Sequence, residues 1–333
     1  MFAALNSFQT GGSILVNISE VFKTTLYAGN NATQTINNGI NLSGKGGLVW
    51  TKSRNEVFDH YLADTARGVT KGLASNGTSA QTTDANGVTA FGATGYTIGD
   101  LANINSYSPR TYVSWTFREQ PKFFDVVTYT GNGTGSRNIA HNLGSTPGCI
   151  IVKRLDSTSN WPTYHRSLST PNDNAVLLNS TSAALGSGFW SNTAPTSTTF
   201  TVSTDADVNV NSGTYVAYLF AHDAGGFVGG NAISCGSYTG NGSATGPVVT
   251  LGYQPQWLLT KRATGGTGNW SIVDSVRGIP TGSADAILYP NASDAEVSAN
   301  AVDVSGTGFQ IVSSASYINN SGDTYIYIAI NAS

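Results

Sequence analysis

The sequence predicts an all-β protein made of three tandem antiparallel β-sandwich domains of jelly-roll-like form. Two observations predict this fold. Aromatic residues make up 10% of the 333 residues and charged residues only 11%, so most of the polarity comes from Asn, Ser, Thr and Gly, a mixture typical of strands joined by tight turns. In addition, one set of short motifs occurs three times along the chain at nearly constant spacing, which indicates an internal repeat.

The repeat divides the chain into an N-terminal arm of residues 1–20 and three units, each long enough to form a sandwich. Units 1, 2 and 3 comprise residues 21–120, 121–225 and 226–333. In the arm, apolar spacings predict a helical turn and then a strand, at Phe2, Leu5 and Phe8 and at Ile14, Val16 and Ile18. The arm serves either for attachment and oligomerisation or simply for packing on unit 1.

Each unit opens with a tyrosine that is followed by a glycine–asparagine pair, at Tyr27, Tyr129 and Tyr238. Gly and Asn tolerate the positive φ of a tight hairpin, so the motif predicts a hairpin turn. An apolar run that ends in a cation comes next, over residues 48–52, 149–154 and 257–262. A continuous apolar run of this length predicts a strand that is buried on both faces.

Each unit closes with two further predicted strands, the second rich in aromatic residues. The first covers residues 95–98, 199–202 and 308–312, and the second covers residues 112–117, 215–220 and 325–330. The opening and closing tyrosines lie 85, 86 and 87 residues apart in the three units. This constant spacing indicates that the units share one fold.

Between the apolar run and the closing strands, an aromatic residue precedes an Asp–Arg pair. We align the aromatic residues as Phe58, Trp161 and Trp270. The pairs are Asp64 with Arg67 and Asp274 with Arg277, whereas unit 2 carries His165 and Arg166 instead of the pair. Because buried carboxylates are usually paired with cations, we interpret both pairs as structural rather than catalytic.

No pattern in the sequence predicts a catalytic residue, a metal site or a cofactor. Hydrolysis of a glycan needs two opposed carboxylates, yet the four glutamates lie outside the repeated motifs. The four histidines lack the spacing of metal ligands, and Cys149 and Cys235 match neither a metal nor a redox motif. Residues 205–207, Asp-Ala-Asp, are interpreted as a turn in preference to a Ca²⁺ site.

Aromatic rings beside short polar groups are typical of sugar-binding surfaces. Six residues are candidates for such a surface: Asn160, Trp161, Tyr164, His165, Trp190 and Trp270. The alternative, favoured by the strand periodicity, is that the aromatic residues fill the core.

The charge and hydropathy of the chain bear on its partners and its location. A net charge of −3 without a basic run argues against nucleic acid as a partner. No apolar stretch is long enough for a membrane-spanning helix, so membrane insertion is not expected. The N-terminus does not have the form of a secretory signal, so we expect synthesis in a cytoplasm.

Several strings of unit 2 resemble repeat domains of tail and virion proteins of marine and cyanobacterial tailed bacteriophages. They are Tyr-Thr-Gly-Asn-Gly-Thr, Ile-Ala-His-Asn-Leu-Gly, Pro-Gly-Cys-Ile-Ile-Val-Lys, Ser-Thr-Thr-Phe-Thr-Val and Tyr-Val-Ala-Tyr-Leu-Phe, which begin at residues 129, 139, 147, 197 and 215. Unit 3 keeps the opening, the buried strand and the close, and unit 1 departs most. The resemblance implies a location in the virion, with other virion proteins as partners. It assigns no catalytic residue to this chain.

Three functions are therefore hypotheses. The first is a tail or tail-fibre component, a homo-oligomer (trimer or higher ring), that binds host-surface polysaccharide through repeated weak sites. The second is a purely architectural baseplate, collar or head-decorating protein. The third and least favoured is a polysaccharide depolymerase. Because each unit is predicted to be a separate sandwich, a chain that lacks residues 226–333 is expected to remain folded.

Overall fold

The computed structural model describes residues 15–106, 109–186, 188–279, 282 and 284–332. Strands dominate these residues, and the strands within each sheet pair antiparallel, so the predicted all-β fold is confirmed. In the arm, Ile18–Glu20 form a 3-10 turn and Val16 forms a bridge to Phe227 in unit 3. The predicted helical turn, and Ile14 of the predicted strand, lie outside the described residues.

Unit 1 is built from two main sheets that enclose a small core, and from a separate two-stranded pair of Lys71–Gly72 with Thr82–Thr83. Strands β1, β9, β3 and β4 form the larger sheet in that order, and β2, β8 and β7 form the smaller one. The elements are β1 (Phe22–Ala28), β2 (Gln34–Asn37), β3 (Gly47–Ser53), β4 (Tyr61–Asp64), β5 (Lys71–Gly72), β6 (Thr82–Thr83), β7 (Val88–Phe91), β8 (Gly95–Ile98), helix α1 (Ala102–Asn105) and β9 (Thr111–Arg118).

Unit 2 repeats this plan with a wider first sheet. Its order is β10, β17, β12, β13, β14 and β15, and β11 pairs with β16 in the second sheet. The elements are β10 (Phe124–Thr130), β11 (Arg137–Ala140), β12 (Cys149–Arg154), β13 (Pro162–His165), β14 (Asn174–Leu177), β15 (Leu185–Gly186), β16 (Thr199–Val202), helix α2 (Ala206–Asn209) and β17 (Thr214–Phe220).

Unit 3 has the order β18, β26, β20 and β21 in its larger sheet and β19, β25 and β24 in its smaller one, with β22 and β23 as a separate pair. The elements are β18 (Ile233–Thr239), β19 (Val248–Thr250), β20 (Pro255–Arg262), β21 (Ser271–Asp274), β22 (Asp285–Ile287), β23 (Val297–Ala299), β24 (Val302–Ser305), β25 (Gly308–Ile311), helix α3 (Ser316–Asn319) and β26 (Thr324–Asn331).

The larger sheets of all three units pack on one shared hydrophobic core. Side chains of unit 1, unit 2 and unit 3 belong to a single buried cluster, in which the ring of Phe117 lies 5.7 Å from that of Phe220 and 5.6 Å from that of Trp257. Along β20, Leu258 faces the core of unit 3 whereas Trp257 and Leu259 face the shared core. This double packing explains why β3, β12 and β20 are buried on both faces, as the apolar runs predict.

The opening glycine–asparagine motif does not form the hairpin that the sequence predicts. In each unit its loop leads from the larger sheet to the smaller one, for instance from β10 to β11, which pair with different strands. A Cβ on Gly131 would lie 2.0 Å from the carbonyl oxygen of Val210. Glycine is therefore needed for a close approach of two backbones rather than for a tight turn.

A buried asparagine at the end of each short helix fixes this loop. Asn209 accepts a hydrogen bond from the backbone N–H of Asn132 at 3.0 Å and donates to the carbonyl oxygens of Thr134 and Ser203. Asn105 and Asn319 make the same contacts in units 1 and 3. Sequence reasoning missed these residues, although each lies six or seven positions before the closing tyrosine.

Candidate functional site

The two Asp–Arg pairs lie where the larger sheets meet the shared core. Asp64 ends β4 and Asp274 ends β21. Arg67 donates from Nε to Asp64 Oδ2 at 2.5 Å, and Arg277 donates from Nε to Asp274 Oδ2 at 2.6 Å. The side chains of both pairs are at most 2% exposed. The structure thus brings together both pairs that the sequence singled out.

Each of these carboxylates also accepts a hydrogen bond from a neighbouring unit. The hydroxyl of Tyr218 in unit 2 donates to Asp64 Oδ2 at 2.8 Å, and Trp115 Nε1 in unit 1 donates to Asp274 Oδ2 at 2.9 Å. The pairs therefore join units, in addition to fixing their own loops.

In unit 2, His165 takes the place of the aspartate. It lies opposite Cys149 in the sheet, as Asp64 lies opposite Leu48. Its Nε2 donates to the carbonyl oxygen of Tyr327 in unit 3 at 3.0 Å. Unit 1 thus bonds to unit 3, unit 2 to unit 1 and unit 3 to unit 2, so the contacts close a ring with pseudo-threefold order.

A second ring of contacts is made by the residues that lie four positions before Asp64, His165 and Asp274. Trp161 Nε1 donates to the carbonyl oxygen of Gly77 in unit 1 at 3.0 Å, and Trp270 Nε1 donates to that of Leu177 in unit 2 at 2.9 Å. In unit 1 the equivalent residue is His60, whose Nε2 donates to the carbonyl oxygen of Tyr289 in unit 3 at 3.0 Å. The alignment of Phe58 with the two tryptophans is therefore wrong by two positions. His60 is the equivalent residue, because it precedes Asp64 by four residues, as the two tryptophans precede His165 and Asp274.

Two of the three lysines near the ends of the buried strands also reach across the junctions, whereas Lys52 donates to carbonyl oxygens of its own unit. Lys153 Nζ donates to the carbonyl oxygen of Thr78 in unit 1 at 2.9 Å, and Lys261 Nζ donates to that of Thr181 in unit 2 at 2.8 Å. Burial lowers the pKa of Lys153 to about 8 and that of Lys261 to about 7. These ammonium groups are therefore used inside the protein and are not presented to a ligand.

The residues predicted as candidates for a sugar-binding surface do not form one. Trp161, Tyr164, His165, Trp190 and Trp270 are each at most 5% exposed. Three of them make the contacts between units just described, and the ring of Tyr164 packs edge-on against that of Trp190 at 6.0 Å. The aromatic residues are core, because burial removes large apolar surfaces from water.

Asn160, the sixth of those candidates, is partly exposed, but its side chain is held by neighbouring polar groups. Its Nδ2 donates to Asp207 Oδ2 at 3.1 Å, and its Oδ1 accepts from Asn179 Nδ2 at 3.2 Å. Asp205 caps helix α2 by accepting a hydrogen bond from the backbone N–H of Asp207 at 2.8 Å, so residues 205–207 form a helix start. Within the part of the chain that the structure describes, no three His, Cys, Asp or Glu side chains group as metal ligands.

The buried histidines predict a specific response to acid. Burial lowers the pKa of both His60 and His165 to about 3, whereas a histidine of the unfolded chain titrates near ~6.5. The unfolded state thus binds more protons between these values, so the contribution of each histidine to stability is complete above pH ~6.5 and is lost as the pH falls towards ~3.

We expect the stability difference between the wild type and the variant His165→Gln to fall by about 3 kcal/mol between pH ~7 and ~4. Urea unfolding at several pH values measures it. Burial raises the pKa values of Glu119 and Asp285 to about 7 and about 6, so these two groups change the stability in the opposite direction as the pH falls. Because both groups are present in the wild type and in the variant, their effects cancel in the difference between the two proteins. A difference that does not change with pH would contradict a neutral, buried His165.

Comparison with known protein families identifies a match over most of the chain. A protein-family model described as a domain of unknown function, DUF7483, matches residues 17–333, which include all three units. No curated protein matches the chain. Among the residues that the structure describes, no helix combines the length and apolar character needed to cross a membrane.

Proposed function

The chain belongs to the DUF7483 family, and because the description of this family names no activity, we propose from the geometry that the protein is a non-enzymatic structural component of a bacteriophage virion. The observation that carries the proposal is the closed ring of buried contacts between units. One chain thereby supplies the kind of building block that other assemblies obtain from three subunits. The resemblance of unit 2 to phage tail and virion repeats supports a position in the tail or its fibres.

The environment of the repeated ionisable groups supports a structural role over a depolymerase. A glycosidase needs two carboxylates that face the substrate. Asp64 and Asp274 are buried, and each is already bound by an arginine and by an aromatic donor. Their hydrogen-bonding capacity is thus used between units.

Labelling of purified particles tests the proposal. Antibodies raised against the recombinant chain are applied to virions released from cells that carry the gene, and bound antibody is located by electron microscopy. We expect labelling of the tail. Labelling of the head, collar or baseplate would support the architectural alternative. Absence of the chain from purified particles, checked by mass spectrometry, would overturn a virion role.

The mass of the isolated chain bears on the predicted homo-oligomer. Light scattering on the purified protein distinguishes a monomer from a trimer or a higher ring. A monomer is the expected result if the three units of one chain take the place of the three subunits of a trimer. A larger mass supports assembly of several chains.

A further inference from the structure

Open grooves lie on the outside of two junctions between units. The groove between units 1 and 2 has a volume of about 610 Å³, and the groove between units 2 and 3 has a volume of about 660 Å³. Both volumes are in the range of small-molecule binding sites, roughly 300–1,000 Å³.

The two grooves are the same feature repeated. Along the first, the backbone N–H of Gln81 donates to the carbonyl oxygen of Leu155 at 2.9 Å, and along the second that of Ala184 donates to the carbonyl oxygen of Ala263 at 2.9 Å. Both acceptors lie two residues after a buried lysine. The opening strand of the following unit supplies the opposite wall, with Thr130 in the first groove.

At the third junction, charged side chains occupy the equivalent place. The backbone N–H of Glu296 donates to the carbonyl oxygen of Arg54 at 2.7 Å, which again follows a buried lysine by two residues. The carboxylate of Glu296 accepts from Arg54 at 2.7 Å and from Arg277 at 3.1 Å. This junction is therefore bridged by ion pairs, whereas hydroxyl side chains line the other two.

The lining of the groove between units 2 and 3 indicates what it binds. Hydroxyl and amide side chains dominate, and none of its lining residues is ionisable. The polar side chains are those of Ser167, Ser169, Asn174, Ser237, Thr239, Thr264 and Thr324. A charged ligand would find no opposite charge there. An apolar ligand would leave these groups without hydrogen bonds, which is unfavourable. A neutral ligand rich in hydroxyl groups needs no opposite charge and can form hydrogen bonds with these side chains.

The groove between units 1 and 2 has the same hydroxyl-rich wall and adds stronger hydrogen-bonding groups. Thr128, Thr130 and Thr214 are exposed on it, and Gln81 also lines it. The two charged lining residues, Arg67 and Asp156, are already in ion pairs with Asp64 and Arg154. Hydroxyl groups of a sugar can donate to the carboxylate and accept from the amide.

We propose that these two grooves bind neutral oligosaccharide, one site at each junction. Two related sites on one chain raise the overall affinity for a repeating glycan well above that of either site. The sites lie between units, so they depend on the ring and are distinct from the buried aromatic residues.

Tryptophan substitutions that fill the grooves test this proposal, with a matched control at the third junction. Thr130→Trp and Thr239→Trp place a ring one residue after the opening tyrosine in units 2 and 3, and Ala28→Trp places it at the same position in unit 1. All three residues are exposed. The probe is the purified full chain, applied to an array of neutral and anionic oligosaccharides and then titrated calorimetrically with a neutral oligosaccharide that binds.

We expect the double variant of Thr130 and Thr239 to bind about tenfold or more weakly, and Ala28→Trp to bind as the wild type does. Circular dichroism verifies folding, and the pair Thr130→Arg and Thr239→Arg replaces the tryptophan pair if that pair misfolds. The proposal is overturned if the wild type binds only anionic glycans or none at millimolar concentration, or if binding survives the filled grooves. Because the isolated chain is used, such a failure is separate from failure to find the protein in virions.

Discussion

A chain that ends at residue 225 is expected to lose its fold, in contrast to the expectation that separate sandwiches would give. Unit 3 covers the shared core, since the ring of Trp257 packs against those of Phe22 and Phe117 at 6.1 and 5.6 Å. Full exposure of a large apolar side chain costs roughly 1.5–3 kcal/mol, so uncovering three or four of them costs roughly 5–12 kcal/mol. This is comparable to the whole stability of a typical protein, about 5–15 kcal/mol.

The truncation also breaks the ring of polar contacts. Trp115 loses its acceptor on Asp274, and His165 loses the carbonyl oxygen of Tyr327. We therefore expect the fragment of residues 1–225 to aggregate, or to show no cooperative thermal transition by circular dichroism. Co-expression with residues 226–333 as a separate chain is the matched control, and it is expected to restore a soluble complex. A monomeric fragment with a sharp transition would show that units 1 and 2 fold without the third wall of the core.

Replacement of Asp274 by alanine is expected to destabilise the folded chain by about 3–5 kcal/mol, as found when one partner of a buried ion pair is removed. The change removes the closer of the two carboxylates that pair with the Arg277 guanidinium, which is 0% exposed and keeps only Glu296 as an ionic partner. It also leaves Trp115 Nε1 without its acceptor. With an unfolding entropy of about 2.1 cal/mol/K per residue, this corresponds to a fall in Tm of roughly 4–7 °C. Chemical and thermal unfolding measure it.

Asp156→Ala is the control for this variant. Asp156 also pairs with an arginine, Arg154, but its side chain is 40% exposed, and exposed ion pairs contribute about 0–1 kcal/mol. Combining Asp274→Ala with Trp115→Phe gives a double-mutant cycle, in which a coupling energy above about 0.5 kcal/mol is expected for residues in contact. If Asp274→Ala were no more harmful than Asp156→Ala, the proposed role of the pair in joining units would be wrong.

Much of the local structure could be predicted from the sequence because local patterns carry it. The apolar runs that end in Lys52, Lys153 and Lys261 correspond to β3, β12 and β20, and the closing aromatic strands correspond to β9, β17 and β26. The repeat spacing was visible because copies of one fold keep equal distances between matching residues. The Asp–Arg pairs lie three residues apart and so were identified from sequence proximity alone.

The candidate site could not be predicted in the same way. Trp161 and Trp270 have the composition expected of a sugar-binding surface, and their burial depends on a neighbouring unit about ninety residues away in the chain. The grooves are lined by serine and threonine residues that the rest of the chain contains in large numbers. No sequence pattern distinguishes the threonines that face a junction from those that face solvent.

The sequence alone determined the all-β class, the threefold repetition and the positions of the buried strands. These features depend on the order of neighbouring residues, which controls strand formation and burial on both faces. Only the tertiary structure decided that the three units share one core, that His165 replaces an aspartate in a closed ring, and that the junctions leave two open grooves. The physical reason is that these features depend on contacts between residues far apart in the chain, which the order of neighbouring residues does not specify.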